Sequence, residues 1–227
     1  MKDRHGNERS VGSGSKNVYE AGDNMAHYET FELNASIPLE KYEWDDIWFD
    51  HATDTEQKRV IVFGDSISVN YRFPLVEALR GKFCVDNYGT SKAADNPFLK
   101  ENMRLIMAQQ KHDVIYFCSG HGTHQSPQEY EDNTEKLVQW LLEDYPEKKL
   151  IIAGRIYSSY PPKEESCLQR NESLRRIAQR HDLAFDDLHA LTLDRPDLLK
   201  EDKVHLNEAG QKLVADHVAA LILELTK

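Results

Sequence analysis

Three residues of this chain, far apart in sequence, are of the types that nucleophilic catalysis needs. Ser66 stands in Gly64-Asp65-Ser66-Ile67, and Asp202 and His205 stand in Asp202-Lys203-Val204-His205-Leu206-Asn207. A serine hydroxyl is a poor nucleophile near neutral pH until a base takes its proton. Imidazole is the usual base, and a carboxylate that accepts its Nδ1–H leaves Nε2 free to face the serine. Asp202 and His205 are three apart on a loop, a spacing that allows this contact. Each fragment alone is weak. Gly-Asp-Ser is equally an ordinary strand-to-helix turn with Ser66 as the helix N-cap, and Asp-x-x-His equally a helix-proximal acid beside a surface histidine.

The elements around these residues decide whether they can meet. Val60-Ile61-Val62-Phe63 is a continuous apolar run, the pattern of a strand covered on both faces in a parallel sheet. Gly64 and Asp65 end it with turn chemistry. Ser66 then falls at a strand's carboxyl end, where open α/β sheets place their ligands, beside the unpaired N–H groups of a helix start. Helical spacing runs from Tyr71 to Leu79 and stops at Gly81. A second strand, Phe83 to Tyr88, ends at Asn87-Tyr88-Gly89-Thr90-Ser91, and Pro97 opens a helix to about Gln110. A third strand, Asp113 to Cys118, ends in Ser119-Gly120-His121-Gly122-Thr123-His124, before a long helix from Pro127. Lys149 to Ile156 reads as a fourth strand, Glu164 to Arg180 as a helix, and Leu183 to Leu188 as a weaker fifth strand. A helix from Asn207 to about Leu225 closes the chain. Alternating strands and helices predict a three-layer α/β/α sandwich with a five-stranded parallel sheet in flavodoxin-like order.

Residues 1–24 are polar and without periodicity, and read as a mobile tail. Residues 25–58 carry scattered aromatics and read as an extension packed on the domain formed by 59–227. Lysine and arginine number 28 against 39 acidic residues, a net charge of −11, which disfavours nucleic acid as a partner. No apolar run reaches the roughly 18 residues of a membrane span, and no secretory leader is visible, so the expectation is a cytoplasmic protein without a membrane partner. Cys84, Cys118 and Cys167 are odd in number and lack metal-type spacing; Cys84 and Cys118, inside predicted strands, read as packed core thiols, with a nucleophilic role for Cys118 as the lesser alternative.

Gly64-Asp65-Ser66-Ile67, a glycine after the second strand, a glycine-bearing loop after the third, and Asp202-x-x-His205 at the end come in an order that resembles the SGNH hydrolase (GDSL-type esterase) family. Trp48-Phe49-Asp50-His51 is similar to a lead-in of its carbohydrate-esterase-like members. The resemblance spans Arg59 to the carboxyl terminus. It implies the SGNH hydrolase fold, Ser66 as nucleophile, His205 as base, Asp202 as its orienting partner, and no cofactor. It also implies an oxyanion hole made of the N–H groups of Ser66 and Gly89 and a side chain after the third strand. There this chain departs: the family's Gly-x-Asn-Asp is Ser119-Gly120-His121-Gly122, which sets His121 where asparagine is expected. His124 is the donor if the loop shifts register, and Asn87 a more remote one. Arg155 faces the same sheet edge as Ser66, and His124, Arg155 and Tyr157 are the candidate substrate contacts, although a salt bridge is the simpler role for Arg155. His121, His124, Asp202 and His205 also admit a metal-binding reading, against which the expectation is no metal. The substrate implied is a small-molecule or carbohydrate ester, with a sugar O-acetyl group as the specific expectation. A lipid or lysophospholipid esterase and a catalytically weak SGNH-like binding module are the alternatives.

Overall fold

The computed structural model describes residues 39–118 and 121–227. The polar stretch 1–24, residues 25–38 of the extension, and Ser119 and Gly120 lie outside the described residues. Six strands form one sheet: β1 (Asp45–Trp48), β2 (Arg59–Gly64), β3 (Cys84–Thr90), β4 (Val114–Phe117), β5 (Lys149–Ala153) and β6 (Ala184–Asp186). Their order is β1-β3-β2-β4-β5-β6. The five strands from β2 to β6 are parallel neighbours and carry the flavodoxin-like order, while β1 runs antiparallel to β3 at the edge.

The edge strand is an addition to the expected five. Asp45-Asp46-Ile47-Trp48 has a single strand neighbour and is mostly exposed, so it carries no two-sided apolar signal. The fifth parallel strand is shorter than its apolar run suggests. The Asp187 side chain accepts the Ala190 N–H at 3.1 Å and starts a short helix instead.

The helices are α1 (Ser66–Leu79), α2 (Pro97–Met107), α3 (Pro127–Asp144), α4 (Pro161–Arg180), α5 (Leu188–Thr192) and α6 (Glu208–Leu225). Side-chain alternation along β2 feeds two cores. Val60 and Val62 pack with Leu75 and Leu79 of α1 and Val214, Val218 and Ile222 of α6. Ile61 and Phe63 pack with Leu99 and Met103 of α2, Leu137 and Leu141 of α3, and Leu174 and Ile177 of α4. With apolar cover on both faces, β2 must be apolar throughout. None of the described helices is long and apolar enough to cross a membrane.

At the amino-terminal end of the sheet, the buried Arg59 guanidinium donates to Asp86 at 3.0 Å and to the carbonyls of Asp50, His51 and Asp54. Asp86 also takes a 2.9 Å contact from His112 and the Asp50 N–H. This cluster fixes the connection from β1 to β2. The carboxyl ends of β2, β3, β4 and β5 converge at the opposite edge, where Ser66 lies.

Candidate active site

Ser66 is the first residue of α1, not its cap. The cap is Asp65, whose side chain accepts the Ile67 N–H at 2.8 Å. With the capping work done by its neighbour, the Ser66 hydroxyl is free to face outward. Its Oγ lies 2.9 Å from His205 Nε2. The same imidazole meets Asp202 Oδ2 through Nδ1 at 2.7 Å.

The loop that delivers this histidine is held from several sides. Asp202 Oδ1 accepts the N–H groups of both Val204 and His205, each at 2.9 Å, so one carboxylate fixes the backbone and the ring together. Those donors, the His205 N–H first, hold the Asp202 carboxyl down at about 2. Lys203 takes a left-handed φ of 64° to turn the chain, and its carbonyl accepts the Ser158 hydroxyl at 2.9 Å. The His205 carbonyl accepts the Lys200 N–H at 2.7 Å. His205 thus projects from a braced turn just ahead of α6, whose N-cap is Asn207.

Beneath the serine lies a buried electrostatic cluster. Asp65 pairs with Arg155, which follows β5, at 3.4 Å. Burial pushes the Asp65 carboxyl up, but Arg155, His121 and the Ile67 N–H outweigh it and hold the group below the ordinary range. His121 is half-buried, edge-on to the Trp44 ring at 6.4 Å between centroids. Burial lowers its pKa against the pull of Asp65, so its imidazole is neutral at pH 7 and presents one N–H. The loop carrying it is tied down by Glu40, whose carboxylate accepts the N–H groups of Gly122 (2.8 Å) and Thr123 (2.9 Å) and the Thr123 hydroxyl (2.7 Å). Neither Glu40 nor Trp44 stands in any recognisable motif.

Gly89 does not stand where the family resemblance expects it. It is inside β3 rather than beyond it. Ser91 N–H donates to the Trp44 carbonyl at 3.1 Å and Val85 N–H to Asp50 at 3.2 Å, whereas Cys84 N–H turns to Lys58 on the β2 side. Odd-numbered residues of β3 therefore aim their N–H at β1, and Gly89 faces its ladder partner Asp46. The glycine is required by close approach instead, since a Cβ there would lie 2.3 Å from Val69 Cγ2 on α1. This corrects the assignment of Gly89 as an oxyanion donor.

Of the remaining candidates, His124 points to Asp95 at 2.8 Å. Asn87 is buried in β3. Tyr157 is edge-on to His189 and donates its backbone N–H to Thr192. Burial pushes the Cys118 thiol up to about 12, which leaves it protonated and unreactive. Among the described residues the potential metal ligands that converge are Asp50, His51 and Cys84, at the far end of the sheet. His121, His124, Asp202 and His205 do not.

A serine, histidine and aspartate joined by hydrogen bonds at the carboxyl edge of a flavodoxin-ordered sheet is the arrangement of SGNH-type hydrolases. The GDSL-like Lipase/Acylhydrolase family matches residues 62–213, and the chain belongs to it. Among solved structures it is similar to a catalytic mutant of an acetylxylan esterase from Geobacillus stearothermophilus, with 19% identity and TM-score 0.58, over 74% of this chain and 95% of that one. A lipase/acylhydrolase from Enterococcus faecalis has 18% identity and TM-score 0.59, over 73% and 95%. A carbohydrate esterase family 3 protein from Talaromyces cellulolyticus has 16% identity and TM-score 0.57, over 74% and 98%. No curated protein sequence matches the chain.

Proposed function

We propose that the chain is a serine esterase that removes short acyl groups, acetyl foremost, from a carbohydrate or similar small alcohol. The observation that carries this is the continuous path from Asp202 through His205 to Ser66, at 2.7 and 2.9 Å. His205 Nε2 takes the Ser66 proton as Oγ attacks the ester carbonyl. The imidazolium, stabilised by Asp202, then protonates the departing alcohol. An acyl-Ser66 remains, and water deprotonated by His205 releases the acid. The tetrahedral oxygen is received by the Ser66 N–H, one of the unpaired donors in the first turn of α1. The neutral His121 imidazole supplies the side-chain donor.

Two small cavities lie near this sheet edge. A cavity of about 30 Å³ is lined by Asp65, Ile67 and Tyr71 among others, and one of about 20 Å³ by Gly64, Thr90 and Cys118. Two of the similar structures are carbohydrate esterases, which supports an acetyl group over a lipid chain by analogy. The catalytically weak binding module gains one argument, the loss of Gly89 as a donor.

A fluorophosphonate probe decides among these readings. Stoichiometric labelling mapped to Ser66, absent in Ser66→Ala, together with release of acetate from acetylated xylo-oligosaccharides, is the expected result. Labelling without turnover of acetyl or longer-chain esters would leave the binding module.

A further inference from the structure

We propose that Arg155 and Lys163 form a binding site for a short-chain carboxylate in the cavity behind the nucleophile, with its charged end on the two cations and its alkyl end on the apolar wall. The cavity holds about 30 Å³, and its walls include Ile67, the residue after Ser66, and Val204, the residue before His205. Both cations line it. Arg155 is buried, and although its Nη2 meets Asp65 at 3.4 Å, its Nη1 is out of solvent with no hydrogen-bond partner among the described residues. A buried guanidinium donor without an acceptor carries an unmet desolvation cost, which an anion in the cavity removes.

Lys163, in the first turn of α4, supplies the second cation. Its ammonium has no hydrogen bond or ion pair among the described residues. The Arg155 charge, then burial, push its pKa down, and Arg170 adds to the repulsion. Asp65 offsets one of the two lining cations and leaves the other uncompensated, so a monoanion balances the site. The rest of the lining fixes the class of ligand. Tyr71, Ile156 and Leu188 are buried and apolar. A carboxylate of two or three carbons satisfies both halves, whereas phosphate leaves the apolar wall uncovered and a longer acid outgrows a space of about 30 Å³. If the esterase reading holds, the site is fitted to the released acid.

The test uses full-length Ser66→Ala protein, so its outcome does not depend on turnover. Titration calorimetry at constant ionic strength compares sodium acetate with acetamide, its neutral isostere, and with sodium phosphate and sodium hexanoate. Acetate is expected to saturate one site, with acetamide weaker by about tenfold or more for want of charge-assisted contacts. Hexanoate and phosphate are expected to bind more weakly than acetate. Lys163→Met should cost at least about tenfold in acetate affinity while leaving the melting temperature equal or higher, because it relieves the repulsion with Arg155. Lys163→Gln serves as the second variant should methionine perturb the fold. Equal binding of acetamide, tighter binding of phosphate or hexanoate, non-saturable acetate, or unchanged affinity in both lysine variants would overturn the assignment.

Discussion

Asp65 and Arg155 form a buried ion pair that joins the start of α1 to the end of β5, with Nη2 and Oδ2 3.4 Å apart and both side chains less than a tenth exposed. The aspartate of Gly64-Asp65-Ser66 thus has two tasks, capping the helix that begins at Ser66 and neutralising a cation beneath it. Asp65→Asn keeps the cap acceptor and removes only the charge. Leaving Arg155 buried and unmatched should cost about 3–5 kcal/mol, read as a lower urea midpoint with unchanged slope. Asp65→Asn combined with Arg155→Met should recover most of that loss. A single variant as stable as the parent would show that the pair contributes little.

Gly89 offers a packing test. Gly89→Ala places a methyl against Val69 Cγ2, with an unrelaxed separation of 2.3 Å. Overpacking of this kind should destabilise by about 1–3 kcal/mol. Val69→Ala in the same chain should relieve the clash, so the double variant should melt closer to the parent than the sum of the singles. A double variant no more stable than the sum of the singles would show that Val69 is not what requires the glycine.

These two residues show where the sequence was legible. The meeting of Ser66, Asp202 and His205 in space could be read because each sits in a short motif at an element boundary, and the parallel strands because β2 and β4 are apolar on both faces. The role of Gly89 could not be read, since the partner of its N–H is β1, a four-residue edge strand with two acids. Asp65 was in plain view as the only acid of its motif, yet its pairing with Arg155 spans 90 residues and leaves no local pattern. Glu40, Trp44 and Lys163 escaped for the same reason. A carboxylate bound to backbone N–H groups, or a ring against a ring, has no periodicity to betray it.

The triad should behave as one unit. Asp202→Asn should lower kcat by about 10³- to 10⁴-fold by upsetting the His205 tautomer. Ser66→Ala should lower it further, and adding His205→Ala to Ser66→Ala should cost little more, because the attack that the base serves is already gone. Multiplicative losses in a p-nitrophenyl acetate assay would mean that the residues act separately.

Acid sensitivity should appear on the helical face away from the site. Glu131 of α3 bonds to Arg176 and Arg180 of α4. The Arg176 hydrogen bond, against the opposing effect of burial, holds its carboxyl down at about 2. A depressed carboxyl stabilises the fold above its unfolded pKa and loses that contribution as pH falls through the folded one. Since both arginines are more than a third exposed and screened by solvent, Glu131→Gln should lower the melting temperature at pH 7 by only about 2–4 °C, the equivalent of roughly 1 kcal/mol. The gap between parent and variant should narrow as pH drops below 4.5 and close near 2. A constant gap across that range would place the effect in packing rather than charge.

Glu40 tests whether a residue ahead of the matched family region serves the site. Its carboxylate holds the Gly122 and Thr123 N–H groups, and so sets the loop on which His121 stands. If that loop must be placed for His121 to donate to the tetrahedral oxygen, Glu40→Ala should lower kcat by about tenfold to a hundredfold. The melting temperature should move little, because Glu40 braces a surface loop rather than a core. Glu40→Gln keeps an acceptor oxygen for both N–H groups and should retain most of the activity. Burial raises the Glu40 carboxyl, but the Thr123 and Gly122 donors outweigh it, so the net direction is down. The latch therefore persists as pH falls through the ordinary carboxylate range, and the acid limb of the parent's pH–rate profile should be shared by Glu40→Gln. Equal losses in the alanine and glutamine variants would assign the effect to charge near His121 instead of to loop placement.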